Sequence, residues 1–227
     1  MKIRSDIRSP NVGVDKIPVE FLVIHYTACD LKRTLSLFLD PGLNLSTHIV
    51  IAENGDIYEL VECFGGVARM AHHAGESFWR ERQKKWRGFN NFSLGIELVN
   101  QNGNILAYSD QQYQALRAVV RELQSSYPKL NSPDRILGHE HIAGWRGKVD
   151  PGYMFNWNRF YRDCFPKVRA PRREGKCPKA IIEALKKFLV IVPDKRIQKD
   201  AFWHALNFIA ETSLALINQA SVRKPNG

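Results

Sequence analysis

The sequence has no uninterrupted run of about eighteen apolar residues, so no transmembrane helix is expected. Cysteine is scarce: Cys29, Cys63, Cys164 and Cys177 are the four present, and no two form a C-x-x-C pair. That spacing argues against a structural zinc knot and for ordinary reduced thiols. The start, from Met1 to Arg8, is charged and lacks an apolar h-region, so no secretory signal is expected there. The expected location is the periplasm or cell envelope if a signal has been removed, and the cytoplasm otherwise. Also missing are an RNA-recognition aromatic motif, zinc-finger spacing and a basic heptad region. A net charge of +10 and a pI near 9.6 favour a polyanionic partner, such as anionic cell wall or a membrane surface. Much of that charge is scattered and reads as a solvated basic surface, so no nucleic-acid partner is expected. Internal repeats and low-complexity tracts are absent.

What is present is a globular composition: 227 residues, 44% hydrophobic and 25% charged. That length allows one sizeable domain and a smaller appendage. The apolar, β-branched run from Phe21 to Tyr26 reads as a buried strand. In it Phe21, Val23 and His25 share a face, with His25 near the strand's end. A helix is expected over 31–39, stopped by Pro41-Gly42. Asn54-Gly55 marks a hairpin between 47 and 60. Ser93 to Val99 reads as a strand that carries Glu97 among apolar neighbours, a costly position unless the carboxylate is paired or used. Asp110 to Ser125 reads as a helix capped by Ser109, with Gln112 completing a capping box. A short strand from Arg135 leads into Gly138-His139.

Beyond Phe165 the composition shifts. The domain organisation expected is a domain over 1–166, a basic linker over 167–178 and a helical extension over 179–227, a candidate peptidoglycan-binding module. Two helical patterns are expected there, about Ala180–Val190 and Ile197–Ile217. Ile181, Leu185, Phe188 and Leu189 would line the first, and Phe202, Leu206, Ile209, Leu214 and Ile217 the second. Arg172-Arg173 reads as flexible linker. A strand-containing core with interspersed helices argues for an α/β (α+β) fold: a mixed central sheet flanked by helices.

Ser93-Leu94-Gly95-Ile96-Glu97-Leu98 and Gly138-His139-Glu140-His141…Lys148-Val149-Asp150-Pro151-Gly152 carry most of the chemistry. With His25 they supply imidazoles, carboxylates and a lysine, an inventory that could hold one zinc ion in an open site beside a general base and a cation. Together with Ser9-Pro10-Asn11, Phe21 to Ala28, Ser46-Thr47-His48, His73-Ala74-Gly75, Asn90 to Glu97 and Phe155-Asn156-Trp157, they resemble the zinc-dependent N-acetylmuramoyl-L-alanine amidases of the type 2 family. The resemblance runs from about Ser9 to Phe165 and implies hydrolysis of the amide between N-acetylmuramic acid and L-alanine in peptidoglycan or muropeptides. It implies one Zn2+ per chain on His25, His139 and Asp150, with Glu97 and Lys148 catalytic. It places His73, Asn90 and Asn91 with the substrate, and Trp145 is a candidate aromatic for the same groove. A monomer is expected.

Two departures matter. His141 stands where the family usually has aspartate, and H-x-H makes His141 an alternative ligand; Gly138-His139 favours His139. The loop to Lys148 holds Gly144-Trp145-Arg146-Gly147 in place of a proline-containing turn. Alternative functions are a non-catalytic peptidoglycan-binding protein and an additional penicillin-sensitive serine carboxypeptidase activity at Ser126, which with Lys129 fits S-x-x-K. His48, His72 and His204 are read as structural or surface residues, and Glu59 and Glu62 as solvated. Trp79, Trp86 and Phe89 are read as groove or core.

Overall fold

A computed structural model describes residues 3–191 and 200–222. Ten strands and six helices are described, with short 3-10 turns between them. The strands are β1 (Ile3–Arg4), β2 (Val12–Lys16), β3 (Phe21–Tyr26), β4 (Ile49–Ile51), β5 (Ile57–Glu59), β6 (Arg69–Ala71), β7 (Phe78–Glu81), β8 (Lys84–Arg87), β9 (Ser93–Leu98) and β10 (Ile136–Gly138). The helices are α1 (Leu31–Phe38), α2 (Asp110–Ser126), α3 (His139–Ala143), α4 (Trp157–Cys164), α5 (Lys179–Ile191) and α6 (Asp200–Val222). Six strands form one mixed sheet in the order β1-β5-β4-β9-β3-β10. Only the β4–β5 hairpin is antiparallel; the other pairs run parallel. This is the expected α/β architecture. Among the described residues no helix is long and apolar enough to cross a membrane.

Alternation along β3 divides the interior. Leu22, Ile24 and Tyr26 join Leu94, Ile96 and Leu98 against Leu116, Val119, Val120 and Leu123 of α2. Phe21 and Val23 face the other way, against Trp86, Phe89 and Leu137, so Trp86 and Phe89 belong to a core. Helix α2 begins as its capping box requires: Ser109 Oγ accepts from the Gln112 amide, and the Ser109 amide donates to Gln112 Oε1.

Several expectations need correcting. Glu59 is buried, not solvated: it pairs with Arg8 at 2.8 Å and accepts from the Cys63 amide at 3.0 Å. Burial would raise its pKa, but the Cys63 amide and Arg8 hold it below the ordinary value. Arg173 is not free either. Its Nε donates to the Tyr161 hydroxyl at 2.8 Å and its guanidinium lies over the Trp79 ring. The Lys176 amide donates to Glu140 at 2.6 Å. In α6 the buried face is Trp203, Leu206, Asn207, Ala210 and Leu214, while Ile209 and Ile217 are exposed. The expected helix start at Ile197 and the side chains of Phe188 and Leu189 lie outside the described residues. All four cysteines are buried and none is in a disulfide.

Candidate functional site

Parallel register sets the site. Strands β3 and β9 pair His25 with Glu97, and β10 pairs Gly138 with Ile24. The residue that follows Gly138 therefore emerges beside His25, and it is His139, the first residue of α3. The 3-10 turn Gly144–Arg146 then returns the chain so that the Glu140 amide donates to the Asp150 carbonyl at 2.9 Å. Asp150 is thereby delivered to the same point.

There His25 Nδ1 lies 3.1 Å from His139 Nδ1 and 2.9 Å from Asp150 Oδ2, and His139 Nδ1 lies 3.1 Å from the same oxygen. All three residues are buried. Their outer hydrogen bonds fix the tautomers. His139 Nε2 donates to the Ala74 carbonyl at 3.1 Å, which leaves Nδ1 with its lone pair. His73 Nε2 donates to the Ser93 carbonyl at 3.3 Å, so its Nδ1 accepts from His25 Nε2 at 3.0 Å. His25 Nδ1 is then bare as well. Burial, then the neighbouring His139, push the His25 pKa down to about 4, and burial, then His25, hold His73 below its ordinary value. Burial pushes Asp150 up, but the two imidazoles outweigh it and keep the group a carboxylate.

Three ligand atoms thus lie within 3.1 Å of one another, and either a shared proton or a cation must relieve their mutual repulsion. Donors on a tetrahedral zinc are separated by roughly 3.3 Å, close to the spacing here. The residues therefore fit a divalent metal, and the His25–His73–Ser93 relay is the kind of outer support that orients ligating imidazoles.

Glu97 stands next to this trio. It is buried, and its Oε2 has no hydrogen-bond partner. Burial, then the nearby Asp150 charge, push its pKa well above the ordinary value, with Lys148 pulling it back. Lys148 Nζ lies 3.0 Å from Glu211 Oε1 of α6. Burial lowers the Lys148 pKa, but Asp150 and Glu211 more than offset it, so the ammonium persists. All these groups line an open cleft of about 480 Å³. A larger hollow of about 610 Å³, walled by Trp79, Arg82 and Arg135, lies apart from the histidines.

The remaining predicted residues divide. His73 lines the cleft and backs His25, and its ring packs so close to β9 that a Cβ on Gly95 would lie 2.6 Å from it. Asn90 lines the cleft and its Oδ1 accepts from the His73 and Ala74 amides at 3.2 and 2.8 Å, fixing the segment that supports His139. Asn91 is exposed and donates to Gly88, and Trp145 lines a separate hollow with Glu76 and Arg87; neither is among the residues lining the cleft. His141 is turned away, its Nδ1 accepting from the Gly138 amide at 2.8 Å. His48 is structural: Nε2 donates to Arg69 and Nδ1 accepts from Gly95. Ser126 ends α2 and Lys129 is exposed in the next turn, so that S-x-x-K pair has no buried cleft. Arg146, Asn207 and Glu211 are among the cleft residues that sequence reasoning did not single out. Only Arg146 had a signal, the unusual Gly144–Gly147 loop.

A family model described as N-acetylmuramoyl-L-alanine amidase matches residues 15–153. The 1,6-anhydro-N-acetylmuramyl-L-alanine amidase AmpD of Salmonella typhimurium (strain SL1344) is 42% identical over 118 residues, 52% of this chain and 56% of that protein. The match therefore spans little more than half of that relative's length. The Haemophilus influenzae protein of the same name is 36% identical over 176 residues, 68% of this chain and 88% of its own. The crystal structure of AmpDh3 from Pseudomonas aeruginosa in complex with anhydromuramic pentapeptide matches with a TM-score of 0.55 at 26% identity, covering 83% of this chain and 74% of that one.

Proposed function

The chain belongs to the N-acetylmuramoyl-L-alanine amidase family, and from that premise we propose that it is a zinc-dependent amidase cutting the bond between the lactyl group of N-acetylmuramic acid and L-alanine in peptidoglycan-derived muropeptides. The names of the curated relatives support a 1,6-anhydro-muropeptide as the substrate. One observation carries the metal reading: His25 Nδ1, His139 Nδ1 and Asp150 Oδ2 converge to within 3.1 Å of one another.

His25, His139 and Asp150 would hold the zinc, which when bound makes water acidic and polarises a carbonyl. Glu97 takes the proton of the attacking water on its unpartnered Oε2 and returns it to the departing amine nitrogen. Its raised pKa suits a group that must act first as base and then as acid. Lys148 directs N–H donors at the negative charge that develops on the amide oxygen, and one such donor is worth about 10²–10³ in rate. His73 and Asn90 line the cleft and hold His25 and the Ala74 segment in place. The open cleft admits sugar and peptide together.

The test is mass spectrometry of digests of anhydro-muropeptides and of intact wall, beside elemental analysis of the purified chain. Release of L-alanyl peptides, about one zinc per chain, and loss of both on chelation are expected. Activity that survives complete metal removal would end the metal reading. Lys148→Ala should lower kcat by about 10²–10³ with the zinc content unchanged.

A further inference from the structure

We propose that Glu211 is a positioning residue for Lys148, which makes helix α6 a working wall of the cleft; this rests on the amidase reading above. Among the described residues Glu211 is the ion-pair partner of Lys148, at 3.0 Å, with each side chain about one-third exposed, 36% and 32%. The helix that carries it is fastened to both sides of the cleft. Four residues earlier on the same face, buried Asn207 accepts from the Tyr26 hydroxyl at 2.7 Å, and its Nδ2 donates to the Gln101 carbonyl at 2.7 Å. Tyr26 is the neighbour of His25 on β3. Seven residues later, Asn218 donates to the Gly144 carbonyl at 2.8 Å. Between them the Glu211 carbonyl packs on Gly147, at φ +92°, where a Cβ would collide with it. The loop that presents Lys148 and the helix that presents Glu211 therefore fit as one unit, although α6 lies outside the residues matched by the family model.

A lysine is a point charge on a flexible four-carbon stem. To act as an oxyanion donor it must be placed to within a few tenths of an ångström. Glu211 removes that freedom from the outer side. The same carboxylate also opposes the ammonium's charge, but an ammonium has three donors. Glu211 engages one, solvent screens the pair, and two N–H groups stay available for the substrate. Placement therefore outweighs quenching.

Two measurements decide this. Carbodiimide activation followed by peptide mass spectrometry should give a Lys148–Glu211 amide cross-link in the wild type and none in Glu211→Gln; its absence from the wild type overturns the pairing. In steady state, Glu211→Ala should lower kcat about tenfold with KM within about twofold, and Glu211→Asp should recover part of that loss. The double variant Lys148→Ala/Glu211→Ala should be no slower than Lys148→Ala alone. Additive losses, or a rise in kcat in Glu211→Ala or the isosteric Glu211→Gln, overturn the inference while leaving the amidase reading intact. A wild type that cross-links but releases no alanyl peptide overturns the amidase reading and, with it, any role of Glu211 in turnover.

Discussion

On the sheet side of the cleft each functional group is fixed from behind. His25 is backed by His73 and Ser93, His139 by Ala74, and Asp150 by a loop pinned through the Glu140 amide. On the helix side Glu211 is partly solvated, and α6 presents Phe208 and Leu216 outward, 69% and 61% exposed. The sheet wall gains its geometry from parallel register, which cannot shift without turning His25 and Glu97 to the wrong face. The helix wall gains its geometry from three side-chain fastenings and one close backbone approach. On the proposed mechanism the bond-making groups occupy the wall set by strand register, and a charge that adjusts a neighbour occupies the wall that is clipped on.

That contrast can be broken experimentally, beginning with the largest effect. Glu97→Gln should cost about 10²–10⁴ in kcat while zinc content and circular dichroism stay at wild-type values; wild-type turnover would remove Glu97 from the chemistry. Leu206→Ala, at a fully buried position of α6, should cost about 2–5 kcal/mol in denaturant unfolding. If α6 docks as described, that loss appears in the single transition of the whole chain; a separate early transition would show the helix wall to be independent. His48 sharpens the comparison from the sheet side, because both its nitrogens already have partners. Burial lowers its pKa from 6.5 to about 4. Unfolded chain takes up that proton below about 6.5 and folded chain only near 4. Its contribution is therefore full above pH 6.5 and falls by about 3 kcal/mol as the pH drops to 4. Metal-free His48→Gln should lose that part of the acid dependence in unfolding titrations, and an unchanged slope would refute it. Smallest of all, Phe208→Glu on the outward face of α6 should change stability by no more than about 0.5 kcal/mol.

How much of this was legible depends on range. The β3 and β9 strands and the α2 cap follow from short motifs whose local pattern dictates the element, whereas the convergence of His25, His139 and Asp150 was legible through the family resemblance. The resemblance placed His73 with the substrate; it lines the cleft and also backs His25, and the missing side chain of Gly95, which makes room for its ring, hinted at the second role. Glu59 read as solvated because nothing local reveals Arg8 and the Cys63 amide closing over it. Trp145 and Asn91 belong to motif-bearing segments, yet the turn geometry sends them to other surfaces. For α6 the difficulty is intrinsic: Phe202, Trp203, Leu206, Phe208, Ile209, Leu214 and Leu216 spread apolar surface around most of the helix, so periodicity could not choose the docking face. Glu211 carried no signal of any kind, since its significance exists only once the helix is laid against Lys148.

Gly147 is where those two segments touch, and its single hydrogen sets how near they come. A methyl group there would act as a wedge under α6, prising the Glu211 side from the lysine loop while the histidine cluster stayed whole. Position 147 is thus a spacer whose thinness lets α6 lie directly on the loop that carries Lys148.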